Sequence, residues 1–173
     1  MNKIQILKNL EVLLNKNFIE KDVFNKCKTI KGKTQKAEEN YIDVIQSSLD
    51  ELNLKYERAS SQQSKDFRIQ EPKINLEIKK SDKTLIFLND TPPSQDIDYV
   101  CILTGNKKYK PQIKIINGSK FEAPWLDDYQ KILESLKNIF CRGSEKKCKD
   151  TALKCYIRPT FSVELSYFVL EVN

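Results

Sequence analysis

The sequence predicts an α/β fold of the α+β kind, a mixed sheet flanked by helices in one domain. Three observations support this. Apolar spacing is helical near both ends of the chain, and a two-residue period occupies the middle. The order of segments is helix, strands, helix, without an internal repeat. A length of 173 residues suits one domain of ordinary size.

Ile4, Leu7, Leu10, Val12, Leu13 and Leu14 recur at helical spacing over residues 3–15, with Asn2 as N-cap. A short helix follows around Lys21 to Lys26, then a glycine-containing connector carrying Lys26, Lys28, Lys31, Lys33 and Lys36. Thr34 caps a long helix from near Gln35 to about Asn53, whose stripe is Tyr41, Ile42, Ile45, Leu49 and Leu52. The period then falls to two. Lys55–Arg58, Asp66–Ile69, Ile74–Lys79, Thr84–Leu88, Tyr99–Thr104 and Gln112–Ile116 read as strands. Pro72, Pro92-Pro93 and Asn117-Gly118 mark turns. Trp125 to Phe140 returns to helix, with Trp125 at its start in the core. Leu153 to Val172, interrupted at Pro159, reads as two further strands.

Composition removes whole classes of chemistry. Hydrophobic residues are 39% and charged residues 31%, a globular and polar balance. No histidine is present, which excludes Ser-His-Asp and Cys-His triads, zincin sites and histidine-based nucleases. Five cysteines without a CxxC read as reduced thiols. No apolar run is long enough to span a bilayer, and the N-terminus lacks the form of a secretory signal, so a cytoplasmic location is expected. A net charge of +6 suits a polyanion such as nucleic acid, without requiring one.

The chemistry centres on two segments, Ser64-Lys65-Asp66-Phe67-Arg68-Ile69 and Ile74-Asn75-Leu76-Glu77-Ile78-Lys79-Lys80. Strand alternation puts Glu77 and Lys79 on one face, and Asp66 and Arg68 on one face. A turn over Gln70 to Lys73 folds the segments into a hairpin on which Asp66, Glu77 and Lys79 converge. Two carboxylates suit Mg2+, which lowers the pKa of its water and neutralises charge on a phosphoryl oxygen. A lysine ammonium beside them can orient water or steady the transition state. The same residues also fit a solvated strand face, with Glu77, Lys79 and Lys80 as cross-strand ion pairs.

At these residues the chain resembles the PD-(D/E)xK nuclease superfamily, and within it the small type II restriction endonucleases. The pattern is an acid on a helix, an Asp opening a hairpin and Glu-x-Lys on the next strand: Glu38, Asp66 and Glu77-Ile78-Lys79, with ten residues between Asp66 and Glu77. AEENYIDVI, SQQSKDFRI, LEIKKSD, IFLNDTPP and DYVCILTG carry the resemblance over roughly residues 30–120. Lys65 stands where the family has proline. The resemblance implies a restriction-endonuclease-like core in a single nuclease domain over residues 1–173, with the ends serving dimerisation or DNA recognition. It implies Mg2+ held by Asp66, Glu77 and the carbonyl of Ile78, with Lys79 and Glu38 completing the catalytic set. Angle selects Glu38 over Glu39: at about 100° per residue Glu38 borders the apolar stripe and Glu39 points away. Glu38 also fits plain helix-dipole compensation.

Gln62, Gln63, Lys65, Arg68, Lys80, Lys107, Lys108 and Lys110 are the candidate DNA contacts; the first four also read as a polar loop, and lysines such as those of the 107–110 loop are usually just solvated. The implied function is site-specific hydrolysis of double-stranded DNA by a homodimer, alongside a companion DNA methyltransferase. A repair or junction-resolving nuclease of the same superfamily and a non-catalytic DNA-binding domain are the alternatives.

Overall fold

The structure is a computed structural model describing residues 1–28, 34–59, 66–89, 93–121, 127–136 and 161–173. It is an α+β arrangement in three layers. Helices α1 (Lys3–Glu20), α2 (Val23–Lys26) and α3 (Thr34–Glu51) cover one face of a five-stranded mixed sheet. The sheet holds β1 (Tyr56–Arg58), β2 (Phe67–Ile69), β3 (Ile74–Ser81), β5 (Asp98–Leu103) and β6 (Gln112–Ile116). Its order is β1-β2-β3-β5-β6, antiparallel except for the parallel β3–β5 pair. Strand β4 (Leu85–Asn89) leaves this sheet to pair with β7 (Phe161–Glu164) on the opposite side. A further helix, α4, occupies residues 127–136.

Alternation along the strands decides which residues enter which layer. Phe67, Ile69, Ile74, Leu76, Ile78, Val100, Ile102 and Ile113 join the helical side chains in one core. Tyr99, Cys101, Leu103 and Ile116 face the other way, onto Ile86, Leu88, Leu165 and Leu170. Strand β5 is buried along its whole length because both faces are covered, which is why its sequence is apolar throughout after Asp98. Burying a side chain such as Leu76 on this scale contributes roughly 2 kcal/mol.

Asn2 caps α1, its Oδ1 accepting the Gln5 N–H at 2.9 Å. The helix runs five residues past the expected end at Asn15, and Asn15 and Asn17 both have specific partners on other elements. Asn17 is buried and donates to Ser48 Oγ at 2.9 Å, tying α1 to α3. Ile6, Leu7, Leu10, Leu14 and Phe18 complete the core, while Ile4, Val12 and Ile19 remain exposed. Helix α1 thus completes the core through one face.

The strands lie where the two-residue period put them, with ends shifted by one or two residues. The C-terminal expectation needs correcting. Phe161–Glu164 is a strand, but Leu165–Phe168 is a 3-10 turn, which the Glu164 carboxylate opens by accepting the Ser166 N–H. The first of the two expected tail strands and Trp125 lie outside the described residues, as do Cys141, Cys148 and Cys155. Among the described residues no helix is long and apolar enough to cross a membrane.

Candidate active site

The β2–β3 hairpin builds the site. Phe67 pairs with Leu76 as the last registered position of the ladder, with Asp66 just beyond it on the β2 side and Glu77 next after Leu76 on β3. The Asp66 main chain stays tied to both neighbours but leaves the β2–β3 register, its N–H donating to Leu76 O at 2.9 Å and its carbonyl accepting from Ala59 N at 2.9 Å. The side chain then takes over from the backbone. Asp66 Oδ2 accepts the Ile78 N–H at 2.6 Å, a short charge-assisted bond that fixes the carboxylate against β3. A strand residue's N–H and C=O leave on the same side, so the Ile78 carbonyl also points past the end of the β2 ladder.

Glu77 and Lys79 share the face opposite the helices, as expected from alternation. Lys79 Nζ lies 2.6 Å from Glu77 Oε1, and the two side chains are only 19% and 17% exposed. On β5 their register partners are Tyr99 and Cys101. Burial pushes Glu77 above the ordinary carboxylate range, the Lys79 ammonium opposes this, and the Asp66 charge reinforces it. Asp66 and Glu77 therefore act on each other electrostatically. Burial also pushes the Cys101 thiol up to about 12, against the pull of Lys79.

Helix α3 approaches from the other side. Both Glu38 and Glu39 are exposed. Tyr41, one turn after Glu38, is pushed upward first by burial and then by the charges of Glu38, Asp66 and Cys27. Tyr41 thus feels the charges of both Glu38 and Asp66. Neither Tyr41 nor Tyr99 was singled out from sequence; each reads there as core. A tyrosine three residues after the helical acid was the available signal for Tyr41.

The candidate DNA contacts separate in space. Arg68 is exposed and faces Glu57 and Asn75 across the strands, one alternation from Asp66. Lys80 lies on the helical face, away from Lys79. Its Nζ donates to Cys27 O at 3.0 Å and sits 3.7 Å from Asp82 Oδ1. That placement takes Lys80 out of the Glu77–Lys79 face. Lys107, Lys108 and Lys110 are exposed on the loop after β5. That loop is pinned by the C-terminus, Lys110 N–H donating to Glu171 O and Asn173 N–H to Lys108 O. From Tyr99, the register partner of Glu77, to Thr104 is five residues, roughly 16 Å along β5, so the loop is remote from the hairpin. Gln62, Gln63 and Lys65 lie outside the described residues.

A divalent cation fits this donor set in part. Asp66 Oδ2 and Glu77 Oε1 are engaged by Ile78 and Lys79, which among the described residues leaves one oxygen of each carboxylate for a further ligand. Among the described residues no group of three or more Cys, Asp or Glu side chains closes on a common point. Two carboxylates and a carbonyl are enough for Mg2+, which keeps several waters and shares substrate oxygens. Comparison of the chain with protein-family models, curated proteins and solved structures finds no match.

Proposed function

We propose that this protein is a Mg2+-dependent endonuclease of the type II restriction kind, hydrolysing phosphodiester bonds of double-stranded DNA at a specific short site. The observation that carries the reading is the hairpin itself. It fixes the Asp66 carboxylate on the Ile78 N–H at 2.6 Å, beside Glu77 on β3, and Lys79 Nζ lies 2.6 Å from Glu77 Oε1. These are the residue types that metal-assisted phosphodiester hydrolysis uses.

Asp66, Glu77 and the Ile78 carbonyl would hold the metal. When bound, Mg2+ activates a water and neutralises charge on the phosphoryl oxygens. Asp66 is kept in place by the Ile78 N–H, so its orientation is set before substrate arrives. Lys79 orients the attacking water or stabilises the charge that builds on the phosphoryl group. Glu38 contributes a third carboxylate, from α3. Arg68, exposed beside the acids, contacts a neighbouring phosphate. In-line attack leaves a 5′-phosphate on the product.

One hairpin cuts one strand per binding event. Cleavage of both strands at a fixed position is simplest in a homodimer, each copy addressing half of a two-fold DNA site. A companion methyltransferase protecting host DNA belongs to the same reading.

Incubation with Mg2+ and a mixed-sequence duplex, followed by mapping of the ends, tests the proposal. Discrete ends are expected. Scattered nicks would favour a repair or junction-resolving nuclease, and DNA binding with no cleavage a non-catalytic domain. Full cleavage in excess chelator would refute the metal mechanism.

A further inference from the structure

We infer that the Lys79 ammonium is a resident cation at Glu77, displaced when a divalent ion arrives, so that metal binding is the event that releases Lys79 toward substrate. This rests on the nuclease reading and adds an order to it. Glu77 and Lys79 are two apart on β3, so alternation puts both side chains on one strand face. The contact is short, 2.6 Å, and both side chains are largely withdrawn from water. Solvent competes weakly for such a pair.

Its surroundings leave the ammonium little choice. Asp66 already receives the Ile78 N–H. Cys101, beside Lys79 on β5, is a buried thiol. Among the described residues the ion pair of Lys79 is with Glu77. A half-buried Glu77 next to Asp66 requires positive charge, and one ammonium meets only part of that requirement. A divalent ion meets it more fully. Once displaced, Lys79 is without its Glu77 ion pair, and a substrate phosphate is the natural next partner.

The test is Mn2+ binding to DNA-free protein, followed by water-proton relaxation at fixed pH and salt. Wild type, Lys79→Met, Glu77→Gln and the control Lys16→Met are compared, the last removing an exposed lysine on α1. Lys79→Met is expected to bind Mn2+ roughly five-fold tighter or more, since a competing ion pair is gone. Glu77→Gln is expected to lose binding, and Lys16→Met to match wild type. Lys79→Gln replaces the Met variant if thermal melting shows that one to be misfolded. Unchanged or weaker binding in the Lys79 variant, with wild type binding and Glu77→Gln not, overturns this inference alone. Absence of Mn2+ binding in wild type and the Lys79 variant overturns it together with the metal-dependent nuclease.

Discussion

Asn15 on α1 pairs with Ile113 on β6 as another strand would, its Oδ1 accepting the Ile113 N–H at 2.8 Å and its Nδ2 donating to the Ile113 carbonyl at 3.0 Å. Glu11, one turn earlier, accepts the Ile115 N–H at 2.7 Å and holds Lys114 Nζ at 3.0 Å. β6 is an edge strand, and these side chains occupy backbone groups that would otherwise be open to another chain.

Asn15→Ala is therefore expected to destabilise the fold by about 1–3 kcal/mol, the cost of leaving edge backbone groups unpaired. Urea denaturation measures the loss. The variant should also aggregate sooner on heating, which light scattering reports. Unchanged stability would mean that water replaces the amide at no cost.

Gly118→Ala should cost more. A Cβ there would lie 2.2 Å from Ile97 O and 2.6 Å from Ser94 O, both main-chain atoms that cannot swing aside. Its N–H also donates to Asp98 Oδ1 at 3.0 Å, at a carboxylate that is fully buried and 2.9 Å from Lys3 Nζ. A loss of about 3 kcal/mol or more is expected from thermal unfolding.

For the proposed cleavage, Asp66→Asn, Glu77→Gln and Lys79→Ala should each reduce the rate by about 100-fold or more in Mg2+. Lys80→Ala should leave cleavage close to wild type and lower stability modestly, since Lys80 holds the Cys27 carbonyl on the opposite face. A rate loss in Lys80→Ala equal to that in Lys79→Ala would contradict the separation of faces.

Alkaline conditions test the buried thiols. Burial raises Cys27 from 9.0 to about 11, with Lys80 opposing the shift. Above pH 9 the unfolded chain loses this proton while the folded chain keeps it, so stability should fall as pH rises from 9 toward 11. Native protein at pH 8 should resist alkylation at Cys27 and Cys101, both of them buried. Peptide-resolved mass spectrometry checks this, with denatured protein as the reactive control.

Local pattern alone determined much of this protein. Alternation from Ile74 to Lys79 is enough to name β3 and to put Glu77 and Lys79 on one face, because side-chain direction in a strand depends only on parity. Asn2 as a cap and Ile42, Ile45 and Leu49 as a buried stripe follow from equally short-range rules. The tertiary structure decided the rest. Lys80 differs from Lys79 by one position, yet which face packs against helices is settled by distant residues such as Phe18 and Leu49. Helix α1 continues through Asn15 and Asn17 because their partners, Ile113 and Ser48, lie far along the chain. Strand β4 departs from the sheet to meet β7 more than seventy residues later, while β3 finds β5 instead. Such pairings carry no local mark, since the hydrogen bonds that select them form only after the intervening chain has folded back.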